Sequence, residues 1–333
     1  MRRPVLLPLV PLYAAGLALR EMRLERGWEK VHRLQWPVIS IGNLSTGGSG
    51  KTPLAIALAR MLVTRGFGVN VLSRGYGRSS LNAARVRVDG TPDEFGDEPL
   101  LIAREAGVPV YVAAERFEAG QLAQAAGSDR GPPVHLLDDG FQHRQLARDV
   151  ELLMINREDW HDHLLPAGNL RERLGAAKRA SVLAIPAEDH GLETELRDWG
   201  WRGPVWRIRR RMDVPRVGGP AAAFCGIARP EQFFAGLEAA GVGLVSKKAF
   251  ADHHRYTDRD IENLVANARA AGATAFITTQ KDEIRMGKLT ERFPPELPLG
   301  VARLDITIDD EAGVMAWIEE RLVRVQPASR NAS

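Results

Sequence analysis

The chain holds a single cysteine, Cys225, which excludes an internal disulfide and a cysteine-rich zinc site. Its apolar neighbours suit a buried, inert thiol. Long hydrophobic runs are also missing. The best is Val5 to Leu19, shorter than the roughly 20 residues of a spanning helix and interrupted by Pro8 and Pro11. Neither sign of charge dominates, because 45 Lys and Arg against 42 Asp and Glu leave a formal charge of +3. The basic residues nevertheless crowd the N-terminus, which suits an anionic partner such as a nucleotide, a phospholipid surface or a phosphorylated sugar. Aromatic residues are few and do not interleave with the basic ones, so no nucleic-acid partner is expected. There is no internal repeat and no low-complexity tract, and no protein partner is predicted.

What is present is a phosphate-binding signature. Val38-Ile39-Ser40-Ile41-Gly42 reads as a strand, and Asn43-Leu44-Ser45-Thr46-Gly47-Gly48-Ser49-Gly50 as a glycine-rich turn. Lys51-Thr52-Pro53 then opens an apolar helical pattern. In a P-loop, backbone N–H groups of such a turn cradle phosphate oxygens. Lys51 would neutralise β/γ-phosphate charge, and the Thr52 hydroxyl would hold Mg²⁺. The nucleotide site therefore reads as Thr46, Gly47, Gly48, Ser49, Gly50, Lys51, Thr52 and Pro53. Ser45 stands where the motif has its first glycine, and the three glycines that follow restore flexibility. Thr46 occupies the position of the second lysine of partitioning-type switch ATPases, which argues against that class.

A length of 333 residues accommodates two α/β lobes. Strands are predicted at 38–42, 69–73, 108–113, 134–138, 151–156, 181–186 and 204–209, with helices at 53–65, 97–106 and 114–126 and a small edge strand at 85–88. Such alternation gives a largely parallel sheet with helices on both faces. Two prolines and two glycines in 214–220 mark a linker. A smaller α/β lobe follows over 221–325, with strands at 221–226, 243–250, 275–279 and 300–308. Its helices start at Pro230, Asp258 and Asp309, and Thr257 with Asp260 suggests a capping box. The division is thus 1–36, 37–213, 214–220, 221–325 and a disordered tail at 326–333. In the first segment Leu17, Leu24, Trp28 and Val31 fall near one helical face, with Arg20, Arg23, Arg26, Lys30 and Arg33 on others. That is the pattern of a basic amphipathic helix lying in a membrane interface.

Three further clusters carry chemistry. His135-Leu136-Leu137-Asp138-Asp139-Gly140 ends an apolar strand in two carboxylates, which beside a P-loop serve Mg²⁺ and elsewhere make a turn. Asp97 opens a helix and is either its cap or a base that takes a proton from an attacking hydroxyl. Asp252-His253-His254-Arg255 follows a strand of the second lobe and is a crevice cluster or a surface loop. The loops Ser73-Arg74-Gly75-Tyr76-Gly77-Arg78 and Leu165-Pro166-Ala167-Gly168-Asn169-Leu170-Arg171-Glu172 are polar and sit between strands.

Together these motifs resemble one family, the tetraacyldisaccharide 4'-kinases of lipid A synthesis. Its blocks appear in order as Gly42-Asn43 with Gly47 to Pro53, Ser73 to Gly77, Gly96-Asp97-Glu98-Pro99, Asp138-Asp139-Gly140-Phe141-Gln142-His143, Leu165 to Gly168 with Leu170-Arg171-Glu172, Phe224 to Ala228 with Pro230, Asp252-His253 and Thr278-Thr279-Gln280-Lys281-Asp282. Gln280 departs from the family's Glu. The resemblance implies an ATP- and Mg²⁺-dependent enzyme. It would phosphorylate the 4'-hydroxyl of a tetraacylated glucosamine disaccharide 1-phosphate at the cytoplasmic side of the inner membrane, held there peripherally or monotopically. It further implies that Asp97 with His253 activates the hydroxyl, while Lys51 serves the phosphates and Thr52, Asp138 and Asp139 the metal. Gln142, Asn169, Arg171, Arg74 and Arg116 would meet the lipid head group, with Glu172 and His254 in support. The loop Thr279–Asp282 would lie toward the adenine. A kinase or ligase of a soluble metabolite, and a membrane-recruited P-loop switch, are the rival readings.

Overall fold

The structure is a computed structural model that describes residues 3–48, 50–128 and 130–325. Ser49 and the tail 326–333, expected to be disordered, lie outside the described residues. The strands are β1 Val38–Asn43, β2 Gly68–Ser73, β3 Ala84–Arg85, β4 Val110–Val112, β5 Pro133–Asp138, β6 Val150–Met154, β7 Val182–Pro186, β8 Val205–Asp213, β9 Ala221–Cys225, β10 Leu244–Ala249, β11 Ala275–Thr279 and β12 Leu299–Ile308. The α-helices are α1 Val10–Glu25, α2 Lys51–Thr64, α3 Pro92–Phe95, α4 Asp97–Ala106, α5 Arg116–Ala126, α6 Arg157–Trp160, α7 His190–Asp198, α8 Pro230–Ala239, α9 Asp258–Ala270, α10 Gln280–Met286 and α11 Glu311–Val325.

The strands join in the order β10-β9-β11-β12-β8-β7-β6-β1-β5-β2-β4-β3. Pairing is parallel except at β8–β12 and at the short edge strand β3 on β4. Strands β1 and β2 are buried along their whole length, as parallel strands covered on both faces must be. Helix α2 buries Leu54, Ala55, Leu58, Ala59 and Leu62, a 3.6-residue stripe, against the strands that carry the site. Chain order reverses at β1, which lies between β6 and β5, with β2 beyond β5. A crevice opens at such a switch point, outside the carboxyl ends of the strands. Register places Ile41 of β1 opposite Asp138 of β5, so the P-loop and the acid pair leave the sheet side by side.

The segment 214–220 falls between β8 and β9, and the sheet runs on past it. It does so because β12 returns to pair antiparallel with β8, Leu304 opposite Met212. Helix α11, expected with the second lobe, packs Val314, Met315, Ile318 and Leu322 into the same apolar cluster as α2 and β1. The capping box of Thr257 and Asp260 is present at the start of α9.

The N-terminus departs from expectation. A 3-10 turn, Pro4–Leu9, runs into α1, and together they form a 22-residue helix long and apolar enough, by length and composition, to cross a membrane. Pro8 and Pro11 do not interrupt it. Pro8 sits inside the 3-10 turn, which gives up one N–H bond there, and Pro11 sits in the first turn of α1, where its missing N–H costs that helix no bond. The helix stops at Glu25, before Gly27 at φ +69°, so Trp28 and Val31 lie past its end rather than on its face. Leu17 and Leu24 turn toward the body, on the side of Tyr13, Ala14 and Arg20. The face left to solvent instead carries Val5, Leu7, Leu9, Leu12 and Leu19.

Candidate active site

Asn43, the last residue of β1, is fully buried and organises the phosphate loop. Its Oδ1 accepts from Lys51 Nζ at 2.9 Å and also from Arg171 Nη2. Its Nδ2 donates to Ser45 Oγ at 3.1 Å, and its carbonyl accepts from Gln142 Nε2 at 2.9 Å. Ser45 is therefore a buried bracing residue rather than a weak substitute for glycine. Gly47 and Gly50 take φ +92° and +90°, conformations closed to most side chains. Pro53 sits in the first turn of α2, and Thr46 N donates to the Asn169 carbonyl at 2.8 Å. The loop after β9 reaches over the turn, because a Cβ on Gly47 would touch Ala228 at 3.4 Å.

The two acids at the end of β5 have different surroundings. Asp139, in the left-handed region at φ 48°, is held by cations: Lys51 at 3.4 Å and a two-pronged contact from Arg171 at 3.0 and 3.2 Å. Burial raises its pKa, but Lys51 and Arg171 outweigh that and hold it well below the usual carboxylate range. Asp138 is buried, and neither carboxylate oxygen has a hydrogen-bond partner among the described residues. Burial first, then the charges of Glu98 and Asp139, push it up to about 7. An orphaned buried carboxylate at the end of the strand beside β1 fits a divalent cation, with phosphate oxygens and water as further ligands. Among the described residues no group of three or more His, Cys, Asp or Glu could hold a metal by itself.

Facing this edge is the start of α4. Gly96 takes φ +88°, and a Cβ there would press on Gly75 and Tyr76 at 3.0 Å, so the helix enters through a glycine. Asp97 is the first helical residue, only 4% exposed, and its Oδ1 accepts from Glu98 N at 2.9 Å. Its Oδ2 gathers three donors: Arg285 Nε at 2.6 Å, Arg285 Nη2 at 2.5 Å and His253 Nδ1 at 3.2 Å. Burial works to raise the Asp97 pKa. The hydrogen bond from His253 and the charges of Arg285 and Lys281 win and hold it below the ordinary carboxylate range. The same bond to Asp97 is the main cause that raises His253. His253 sits in the left-handed region at φ 58°, with Tyr76 tilted against its ring at 5.3 Å. Glu98, beside Asp97, pairs with Lys281 Nζ at 2.5 Å and also feels the charge of Lys51.

The loops after β5 and before β7 bring in the expected head-group residues. Arg171 reaches Asp139 and Asn43, with its Nε buried and unpartnered among the described residues. Gln142 lies against the P-loop base. Asn169 gives its side chain to Asp162 at 2.8 Å, and only its carbonyl meets the loop. Glu172 pairs with Arg179 at 2.8 Å. Arg116 is buried, its Nη1 on the Ala114 carbonyl at 3.1 Å. Burial and then the charge of Arg74 bring its pKa down to about 10, against the pull of Asp139 and Asp138. Burial, followed by Arg116, Arg148, Arg20 and Arg74, pushes His143 down to about 3, so that ring is neutral near pH 7. Arg74 itself is exposed.

Two expectations change in detail. His254 bonds Asp260 at 3.2 Å and stacks on Phe250, serving the start of α9 and not the crevice. Thr279–Asp282 is the N-terminal turn of α10 rather than a loop, and its side chains are taken by the protein. Gln280 donates to Glu105 at 2.8 Å, Lys281 pairs with Glu98, and the fully buried Asp282 accepts from Gly226 N and the Tyr256 hydroxyl. Asn43 and Glu98 lie in blocks of the resemblance without an expected role, Lys281 was expected only toward the adenine, and Arg285 was not singled out. For the last two a further signal existed. Thr279 with Asp282 three residues on is a helix-start pattern, and Lys281 and Arg285 follow four apart on one face.

A phosphate cradle beside an acid serves hydrolysis as readily as transfer. What distinguishes this edge is a further carboxylate, Asp97, paired to the imidazole of His253. That arrangement suits a hydroxyl acceptor and defines the site as that of a P-loop phosphotransferase. Sequence comparison then narrows the class. Residues 2–323 match the family described as Tetraacyldisaccharide-1-P 4'-kinase, and the chain belongs to it. The tetraacyldisaccharide 4'-kinase of Koribacter versatilis is 41% identical over 329 residues, covering 94% of this chain and 99% of that protein. That of Anaeromyxobacter sp. (strain K) is 39% identical over 356 residues, covering 99% and 93%. The fold matches the crystal structure of LpxK from Aquifex aeolicus in complex with ATP. Its TM-score is 0.75 at 30% identity, over 96% of this chain and 98% of that one.

Proposed function

We propose that the chain is a tetraacyldisaccharide 4'-kinase, transferring the γ-phosphoryl group of ATP to the 4'-hydroxyl of a tetraacylated glucosamine disaccharide 1-phosphate. The observation that carries this reading is the pairing of Asp97 with His253 opposite a P-loop whose Lys51 is already aligned by Asn43 and Asp139. Family membership supplies the acceptor.

Phosphoryl transfer needs positioning and charge neutralisation more than covalent help. The turn 47–50 cradles the β- and γ-phosphates, and Lys51 adds a fixed positive charge. Thr52 and Asp138 would hold Mg²⁺, which would supply neutralisation of phosphate charge. Asp139 orients Lys51 and Arg171 and leaves the open carboxylate to Asp138. The 4'-oxygen forms a bond to the γ-phosphorus as the β–γ bridging bond breaks and ADP departs. The hydroxyl proton passes to Asp97 and leaves through His253. Because the transition state is loose, the hydroxyl is little bonded when the barrier is crossed, and its proton leaves late. A carboxylate of low pKa is then a sufficient acceptor. Arg171, Gln142, Arg116 and Arg74 face the phosphorylated head group.

The acceptor carries four acyl chains and stays in a bilayer, so the enzyme must come to it. The outward face of the N-terminal helix, with Val5, Leu9, Leu12 and Leu19, lies in the interface as a monotopic anchor. Arg23, Arg26, Lys30 and Arg33 are exposed beside it and attract anionic lipid. ATP supply sets the side as the cytoplasmic face of the inner membrane. Closure of the 221–308 region over the P-loop excludes water from the reacting phosphate. The deciding assay is ATP with detergent-dispersed tetraacyl disaccharide 1-phosphate, read by mass spectrometry. A gain of one phosphate supports the reading, and ATP turnover with unchanged lipid refutes it.

A further inference from the structure

We infer that helix α1 is a strut for the head-group loops as well as an anchor, with Tyr13 and Arg20 as positioning residues for Arg171 and Gln142. This rests on the reading of those two residues as head-group contacts. The Tyr13 hydroxyl donates to the backbone carbonyl of Arg171 at 2.9 Å. Arg20 Nη2 donates to the backbone carbonyl of Gln142 at 2.5 Å. Tyr13 and Arg20 stand seven residues apart, two helical turns, and so share one face. That face also carries Glu21, paired with Arg144 beside Gln142. Before the helix, Arg3 N donates to the Ala167 carbonyl at 2.6 Å, in the same loop as Arg171.

The ties are specific in kind. They hold main-chain carbonyls and leave both side chains to the site, so they can fix where Gln142 and Arg171 point without touching the substrate. Apolar packing contributes little on this face, because Ala14 is the one buried residue of α1. The helix is thus held to the body largely by polar bonds to two loops, while its opposite face is apolar and exposed. Loops owe their geometry to such supports. Seating the outer face on a bilayer holds the inner face in place, and the head-group residues stay aligned only while that inner face is seated. Linkage makes this reciprocal: bound head group should tighten the helix against the body.

The test uses the full-length enzyme with detergent-dispersed tetraacyl disaccharide 1-phosphate. Tyr13→Phe removes one hydroxyl and should raise the KM for the disaccharide about fivefold, the effect of one neutral hydrogen bond. The KM for ATP, the melting temperature and sedimentation with anionic vesicles should stay as in the parent. Arg20→Met should act more strongly in the same direction, and Arg20→Lys should recover part of the loss. Amide exchange should quicken in 140–146 and 163–172 in both Tyr13→Phe and Arg20→Met. Unchanged exchange there, with unchanged lipid KM in both variants, overturns the strut if Arg171→Ala does raise that KM. If Arg171→Ala leaves the lipid KM alone, the head-group reading falls instead. Exchange then decides the strut by itself, faster supporting it and unchanged refuting it.

Discussion

Replacing Arg285 by glutamine tests the electrostatics of the site more directly than removing a reacting group. Arg285 is 6% exposed and spans two buried carboxylates, Asp97 at 2.5–2.6 Å and Asp282 at 3.2 Å, while its Nη1 also donates to the Gly226 carbonyl. Breaking a buried ion pair from one side typically costs about 3–5 kcal/mol, because the partner charge is left uncompensated. Glutamine retains an amide donor, so about 3 kcal/mol is expected, or a fall in melting temperature of about 4 °C for a chain of this length. The effect depends on pH with a definite sign. Asp97 has its folded pKa depressed, so its contribution to stability is present above the unfolded value of about 3.9 and is lost as pH falls through the folded one. The stability gap between parent and variant should therefore be widest near neutrality and close below about pH 4. In turnover, loss of Arg285 lets burial push Asp97 back up. The acid limb of kcat/KM should move to higher pH by about one unit, equivalent to about 1.4 kcal/mol. Calorimetry across pH and a pH–rate profile on the same protein make the measurement, with Arg285→Lys expected between the two. A variant of parental stability at pH 7 with an unmoved acid limb would refute the argument.

Lys51→Ala should abolish most transfer and leave the fold intact, since its charge faces the phosphate loop; a folded variant of near-parental turnover would sink the P-loop assignment. Asp97→Asn should lower kcat far more than ATP affinity, His253→Ala less so, and the two losses should be non-additive in a double-mutant cycle. Additive losses would separate the pair. Because Asp138 is pushed up to about 7, Mg²⁺ binding should release protons near neutrality and weaken as pH falls below that value. Titration calorimetry in two buffers of different ionisation enthalpy reads the protons directly, and no buffer dependence would remove Asp138 from the metal. Val5, Leu9, Leu12 and Leu19 changed together to serine should free the enzyme from anionic vesicles with little change in melting temperature. Retained sedimentation would show that this face is not the anchor.

Much of this molecule is written in short segments. The P-loop is contiguous chemistry, so strand, glycine turn, Lys51 and the helix behind them were legible without coordinates. The same holds for the acid pair ending β5, the alternation of strands and helices, and the capping box at Thr257. Each depends on neighbours a few residues away, where φ/ψ limits and side-chain periodicity act directly. Apart from His253, the cations around Asp97 were not legible, because Lys281 and Arg285 stand some 180 positions on and arrive only because β12 folds back on β8 and sets α10 against α4. Nor could sequence say which of two adjacent acids keeps its oxygens free; that follows from Lys51 and Arg171 both closing on Asp139. It also misjudged the face of the N-terminal helix, since periodicity defines a stripe but not which side the body occupies. Docking of Tyr13 and Arg20 on the two loops turned Leu17 and Leu24 inward and left Leu12 and Leu19 to face out. Local propensity determines the elements and their catalytic letters, whereas burial and long-range charge, which set pKa and orientation, exist only once the sheet has assembled.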